Sequence, residues 1–187
     1  MSEETLWKDY WKNVASCYNN EVANKLHMEP LTLREFEPIS LKKIARKLYE
    51  TCKNHHTKLD TIISLQTKAV FSQSVLKSVS RVPWGYVVTY GQIAKLVENP
   101  KAVRAVGNIM RRNPLPFLVP CHRVVRNNGS IGGFMGGFRD SSKVKAKLLQ
   151  MEGIALKNGR IDLKKYGADM SDYNKHKEEL LAIVQGF

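Results

Sequence analysis

The spacing of apolar residues along this chain changes character near residue 67. Before it, the pattern is irregular and polar, with aromatics at Trp7, Tyr10 and Trp11. One helix is predicted there, about 40 to 53, where Ser40 can cap and Leu41, Ile44, Leu48, Tyr49 and Cys52 share a face. From Thr67 to Val79 the spacing predicts a helix with Val70, Phe71, Val75 and Val79 inward, broken by Arg81-Val-Pro-Trp-Gly85. Thr89-Tyr-Gly-Gln92 fits a capping box at the start of a short helix to about Val97. Asn99-Pro100 is expected to cap and begin a second helix, to about Arg111. Two short helices around a tight turn read as helix-turn-helix. Further on, Asn127-Asn-Gly129 signals a turn. Ser141-Ser142 is expected to cap a helix carrying Val144, Leu148 and Leu149 and ending at Gly153. A last amphipathic helix is predicted over about 172–184, on Tyr173, Leu180, Leu181 and Val184.

Composition narrows the class of partner. A chain of 187 residues is one domain, or a small one packed on a larger one, and 43% apolar residues suffice for a core. Thirty Lys+Arg against 17 Asp+Glu give a net charge of +13. A solvated basic surface is the bland explanation. Phosphate neutralisation with counterion release is the sharper one, which puts nucleic acid first and a membrane surface second. No apolar run approaches the roughly 20 residues that span a bilayer, so no membrane-embedded role is expected. Met1-Ser-Glu-Glu carries acid where a signal peptide needs base, and a cytoplasmic protein is expected, nucleoid-associated or nuclear if the source is eukaryotic. The cysteines are Cys17, Cys52 and Cys121, an odd set without CxxC, which points to a reducing compartment and away from a zinc cluster. Cys17 and Cys52 read by default as buried thiols, with a bridge between them left open, and His55-His56 reads as surface.

The chemistry concentrates in Asn113-Pro-Leu-Pro-Phe-Leu-Val-Pro-Cys121-His122-Arg123. Pro114, Pro116 and Pro120 each bias the preceding residue toward extended backbone, so a stiff strand-like arm is expected to present the Cys121 thiol. A Cys beside His can be held partly as thiolate, the form that attacks. Ile131-Gly-Gly-Phe134-Met-Gly136-Gly-Phe is glycine-rich but lacks phosphate-cradle spacing, and no nucleotide cofactor is expected. The second helix of the pair is shaved: Ala102, Val103, Ala105, Val106 and Gly107 are small, with Arg104, Arg111 and Arg112 reaching out. Such a surface suits close approach to a DNA backbone, and tight helix packing explains it equally. Glu152, in the last turn of its helix, gains nothing from the dipole. Either a partner such as an imidazole or plain solvent exposure accounts for it. Arg123 reads as a structural ion-pair or carbonyl-binding residue.

In this order, Asn-Pro-x-Pro, Pro-Cys-His-Arg-Val, the helix pair before them and Met-Glu-Gly after them closely resemble the O6-alkylguanine-DNA alkyltransferases, over roughly residues 67 to 157. The resemblance implies an α/β (α+β) protein: a small variable N-terminal α/β domain, 1–66, and a mostly helical, winged-helix-like DNA-binding and active-site domain, 67–187. It implies a protein that everts a damaged guanine from duplex DNA and takes the O6 alkyl group irreversibly onto Cys121, with O4-alkylthymine as a second candidate substrate. His122 would draw the thiol proton through water, Glu152 would orient the imidazole, Asn113 would order the site, and Tyr90 would aid base rotation and protonate the leaving guanine. Met110 and Phe134 would sandwich the base, with backbone of the Gly136 loop at its edge. Arg104 would fill the vacated stack, and Ala102, Ala105, Gly107 and Arg111 would meet the DNA. No cofactor and a monomer are implied; no zinc-ligand set is visible in residues 1–66, a departure from the family's pattern, so no metal is expected. The loop between Phe138 and Lys147 is a few residues longer than the family's pattern. Two other classes compete: a non-catalytic sensor of alkylated DNA, which the presence of Cys121 disfavours, and a basic cysteine hydrolase, for which no oxyanion-hole motif is visible.

Overall fold

The computed structural model describes residues 63–64, 66–137 and 140–170. The predicted helices at 40–53 and 172–184, Cys17, Cys52 and His55-His56 lie outside the described residues. In chain order come helix α1 (Val70–Ser80), strand β1 (Val88–Thr89), α2 (Tyr90–Leu96), α3 (Val103–Arg111) and a one-turn 3-10 helix at Cys121–Arg123. Strand β2 (Val124–Val125), a 3-10 turn at Met135–Gly137, α4 (Ser141–Met151), β3 (Leu156–Lys157), β4 (Arg160–Ile161) and α5 (Leu163–Tyr166) follow. The described part is thus mixed, mainly helical with a few short strands.

Helix α2 starts where the sequence predicts. Thr89 Oγ1 accepts from Gln92 N at 3.1 Å, and the Gln92 side chain accepts from Thr89 N at 2.8 Å, a reciprocal capping box. Three other starts are corrected. Helix α1 begins at Val70 rather than Thr67, which leaves Val70 at its first position and 76% exposed instead of inward. Helix α3 begins at Val103 rather than at Pro100. Asn99 and Pro100 instead belong to a turn closed by Ala102 N donating to Asn99 O at 2.9 Å, and Ala102 is the non-helical N-cap. For α4 the N-cap is Asp140, in the left-handed region, and Ser141 is already helical and buried.

Helices α1, α2 and α3 pack through Val75, Leu76, Val79, Ile93, Ala94, Val106 and Met110 onto Leu115, Leu118, Val119, Val144 and Leu148. Each of these side chains larger than Ala94 contributes roughly 1.5–3 kcal/mol through burial. A second cluster, Val87, Val125, Leu149, Ile154 and Ile161, sits on the other side of the short sheet. Strands β1 and β2 pair parallel, Val88 with Val124 and Thr89 with Val125, which fixes the residues after Cys121 against the residues before Tyr90. The segment after α4 covers this sheet. Strands β3 and β4 form an antiparallel hairpin around Asn158-Gly159, both at positive φ, as a tight two-residue hairpin turn requires. The hairpin docks on the 127–130 turn, where Ile161 N donates to Gly129 O at 2.9 Å. At the end of α5 Val87 N donates to Tyr166 O at 2.8 Å, and just beyond it Ala168 N donates to Val87 O at 2.7 Å.

Candidate active site

The proline run does not form the extended arm that its composition suggests. It folds back: Val119 N donates to Leu115 O at 2.8 Å, and Phe117 takes φ of 69° at the reversal. Asn113 is the reason. Its buried amide donates through Nδ2 to Val119 O at 2.7 Å while its Oδ1 accepts from Leu115 N at 3.0 Å, so one side chain clasps both limbs of the loop. Three prolines restrict local backbone, but this long-range clasp decides the path. Pro120 (φ −76°, ψ 66°) then makes an inverse γ-turn, with Cys121 N donating to Val119 O at 2.7 Å. Cys121 therefore opens a 3-10 turn rather than ending a strand.

A cavity of about 230 Å³ lies against that cysteine, lined by Tyr90, Gly107, Met110, Arg111, Cys121, Gly133, Phe134, Met135 and Gly136. Cys121 is only 3% exposed and is one of the residues that form this cavity wall. One wall comes from α3, the other from the glycine-rich loop, and Tyr90 comes from the start of α2. The structure thus brings together Tyr90, Met110, Phe134, Gly136, Gly107 and Arg111 around Cys121. Ala102, Arg104 and Ala105 do not line the cavity. They lie at the N-cap and in the first turn of α3, with Arg104 exposed.

Behind the cysteine is a buried polar cluster. His122 Nε2 lies 2.7 Å from Glu152 Oε1, with both side chains almost fully buried. Glu152 caps the C-terminus of α4 and is buried, which removes the solvent-exposed reading of it. Arg123 donates to the same carboxylate through Nε (3.1 and 2.9 Å) and Nη2 (3.0 Å), and through Nη1 to Val82 O at 2.6 Å. Gly85 N adds a further donor to Glu152 Oε2 at 3.3 Å. Burial alone would raise the Glu152 pKa, but His122 and Arg123 outweigh it and hold the carboxyl at about 2. Burial pushes His122 down against the pull of Glu152, helped by the positive charges of Arg123 and Lys145. A neutral imidazole that donates its Nε2–H to Glu152 keeps Nδ1 as its acceptor. The ring is packed edge-on against Phe117 and Phe134, with centroids at 6.1 and 6.4 Å.

Lys145 was not among the sequence-derived candidates. It is fully buried, donates to Val124 O at 2.6 Å and lies 5.9 Å from the centre of the Tyr90 ring. Burial lowers its pKa to about 8, opposed by the Cys121 charge and reinforced by Arg126. Tyr90 is raised to about 12, first by burial and then by Cys121. The signal for Lys145 was in the spacing. Ser141, Val144, Lys145, Leu148, Leu149 and Glu152 are all buried and repeat at helical intervals, so a lysine occupies a core position. Met135, at φ 38° on the cavity wall, was missed as well.

Among the described residues no group of His, Cys, Asp and Glu could hold a metal ion. No helix there is long and apolar enough to cross a membrane.

The site thus combines a buried cysteine on a cavity wall, a carboxylate–imidazole pair whose histidine is next to it in sequence and a small-residue helix along one side. Residues 70–154 match the family described as 6-O-methylguanine DNA methyltransferase, DNA binding domain. The chain is similar to the methylated-DNA–protein-cysteine methyltransferase of Cricetulus griseus, 52% identical over 85 residues, 45% of this chain and 39% of that one. It is 45% identical over 87 residues to the protein of that name from Methanosarcina mazei, covering 46% of this chain and 52% of the other. Among solved structures it resembles S. pombe Atl1 in complex with damaged DNA containing O6-carboxymethylguanine, at 28% identity and a TM-score of 0.48, over 53% of this chain and 94% of that one. Residues 70–154 thus carry the DNA-binding domain that this family model describes. The chain spans about half or less of the length of the curated relatives it matches.

Proposed function

We propose that this protein repairs O6-alkylguanine in double-stranded DNA by transferring the alkyl group irreversibly to Cys121, one lesion per chain. The observation that carries this is the position of Cys121 on the wall of a cavity flanked by Met110 and Phe134, directly before the His122–Glu152 pair. A base stacked in duplex cannot bring its O6 carbon to such a wall, so the nucleotide is everted, at a cost of a few kcal/mol. Helices α2 and α3 act as the DNA-reading helix-turn-helix of a winged-helix-like domain, residues 67–187, supported by an N-terminal α/β domain, residues 1–66. Arg104, exposed in the first turn of α3, fills the vacated stack. Ala102, Ala105 and Gly107 let α3 approach the groove, and Arg111 reaches the backbone. The partner is DNA rather than a membrane, the protein acts as a monomer without cofactor, and O4-alkylthymine is a secondary substrate.

The chemistry balances within the chain. The thiol proton passes through water to His122 Nδ1, since Nε2 is committed to Glu152. Sulfur attacks the alkyl carbon, the carbon–O6 bond breaks, and its electron pair leaves with guanine. Tyr90, still protonated with a pKa of about 12, donates to the departing base, and the buried Lys145 ammonium restores that proton. The same ammonium stabilises the Cys121 thiolate. Asn113 maintains the loop that fixes Cys121, so its role is positional. The product is a thioether that no group in the site can cleave.

Incubation with duplex carrying O6-methylguanine is expected to add ~14 Da to the intact protein, as transfer of one methyl to a thiolate requires. An unshifted mass after prolonged incubation rejects the proposal.

A further inference from the structure

The least explained cation near the cavity is Arg126, the residue immediately after β2. Its backbone is fixed: Arg126 N donates to Ser130 O at 3.0 Å, and Gly129 N donates to Arg126 O at 2.9 Å, closing the 126–130 turn. Ser130 bridges in turn to Arg160 on β4, so two exposed arginines flank one residue. Arg126 Nε stands 3.5 Å from where a Cβ on Gly132 would lie, and the next residues, Gly133 and Phe134, line the cavity. The exposed guanidinium therefore stands beside the start of the loop that forms one cavity wall. Its charge reaches Tyr90 and Lys145 inside, lowering both. Among the described residues no ion pair involves Arg126. The Arg126 side chain is exposed, and like charges on it and on the buried ammonium repel. An anion arriving at the mouth with the ligand relieves that repulsion.

A nucleotide whose base occupies the cavity leaves its own phosphodiester at the mouth, because sugar and phosphate follow the base by only a few bonds. On the facing wall α3 supplies Arg111. The loop wall has no other basic residue at that place: Ile131, Gly132, Gly133, Phe134, Met135 and Gly136 are all uncharged.

We propose that Arg126 is the positioning residue that pairs with the phosphodiester of the everted nucleotide, with Arg160 beside it extending the contact along the strand. This rests on the alkyl-transfer reading above and adds a distinction that reading does not make. The phosphate contact operates only on nucleic acid, whereas the thiol chemistry also operates on a free base.

The experiment compares two substrates, duplex DNA carrying O6-methylguanine and free O6-benzylguanine base, which has no phosphate. Arg126→Gln is expected to lower the second-order rate constant on duplex about tenfold near 0.15 M salt, where charged contacts are partly screened. It is also expected to reduce the log–log salt slope of duplex binding by about one phosphate contact. The free-base rate stays within about twofold of wild type, and Arg126→Lys, which keeps a phosphate-binding charge, recovers most of the duplex rate. Equal losses on duplex and free base overturn the proposal in favour of an effect on Lys145 and Tyr90, and no loss on either overturns it outright. If wild type is alkylated by neither substrate, the alkyl-transfer reading fails by itself. The salt slope of Arg126→Gln on duplex then still decides whether this side chain meets a phosphate, an unchanged slope ruling it out.

Discussion

Arg123 and His122 share the Glu152 carboxylate: Arg123 Nε lies 2.9 Å from Oε2 and its Nη2 3.0 Å from Oε1, the oxygen that His122 Nε2 also meets at 2.7 Å, all inside the fold. The ion pair keeps the carboxylate ionised where burial alone would neutralise it. Removing one member of a buried pair leaves the other uncompensated, at a cost of about 3–5 kcal/mol. Arg123→Met is therefore expected to lose stability by about that amount in urea unfolding. A loss below about 1 kcal/mol contradicts a buried structural ion pair.

Glu152 also sets the acid limit of the fold. Its folded pKa of about 2 lies below the ordinary 4.5, so its contribution is complete above pH 4.5 and is lost as pH falls toward about 2. Glu152→Gln should flatten the stability profile across that window. A profile as steep as that of wild type contradicts the assignment.

Lys145 is expected to set an alkaline limit on the proposed chemistry. Its folded pKa of about 8 lies below the ordinary 10.5, so stability rises with pH between those values while the ammonium is progressively lost. Alkyl transfer to Cys121 is accordingly expected to fall as pH rises through about 8. Lys145→Met, which removes charge and keeps length, should abolish the alkaline limb and slow transfer at neutral pH by about 10²-fold or more, the range of a lost general acid–base group. A Lys145→Met variant with a wild-type pH–rate profile contradicts the role given to this residue.

Gly107 separates stability from function. It lies inside α3, and a Cβ there would meet nothing within 4 Å, so Gly107→Ala is expected to stabilise the helix by about 0.5–1 kcal/mol. The same methyl group would sit on the cavity wall and, on the proposed reading, stand between α3 and DNA. The expected outcome is a higher Tm with slower repair of duplex substrate. Faster repair contradicts the placement of α3 at the DNA.

Gly129→Ala tests the packing of the β3–β4 hairpin. The backbone is at φ 78°, and a Cβ there would lie 2.3 Å from Ile161 O. Backbone strain of this kind costs on the order of 1–3 kcal/mol before the clash is counted. A substitution without measurable loss contradicts the docking of the hairpin on the 127–130 turn.

Sequence signals with local causes were legible. The Thr89–Gln92 capping box, the Asn127-Asn-Gly129 turn and the stop of α4 before Gly153 depend on neighbours within four residues. The path to Cys121 was not, because proline restricts backbone but does not say where it turns. That depends on Asn113 reaching Val119 and on packing from other elements. The ladder between Val88 and Val124 joins residues 36 positions apart and had no local signature. Lys145 was hidden for another reason. A binary reading of polar and apolar residues assigns lysine to the surface, whereas its helical spacing with Val144, Leu148 and Leu149 placed it inside.

The most direct test follows a labelled methyl group from O6-methylguanine duplex into protein. Transfer should stop at one methyl per chain, all of it on the tryptic peptide containing Cys121, and Cys121→Ser should accept none while still binding the duplex. Continued turnover beyond one equivalent, or label on any other residue, contradicts irreversible transfer to this thiol.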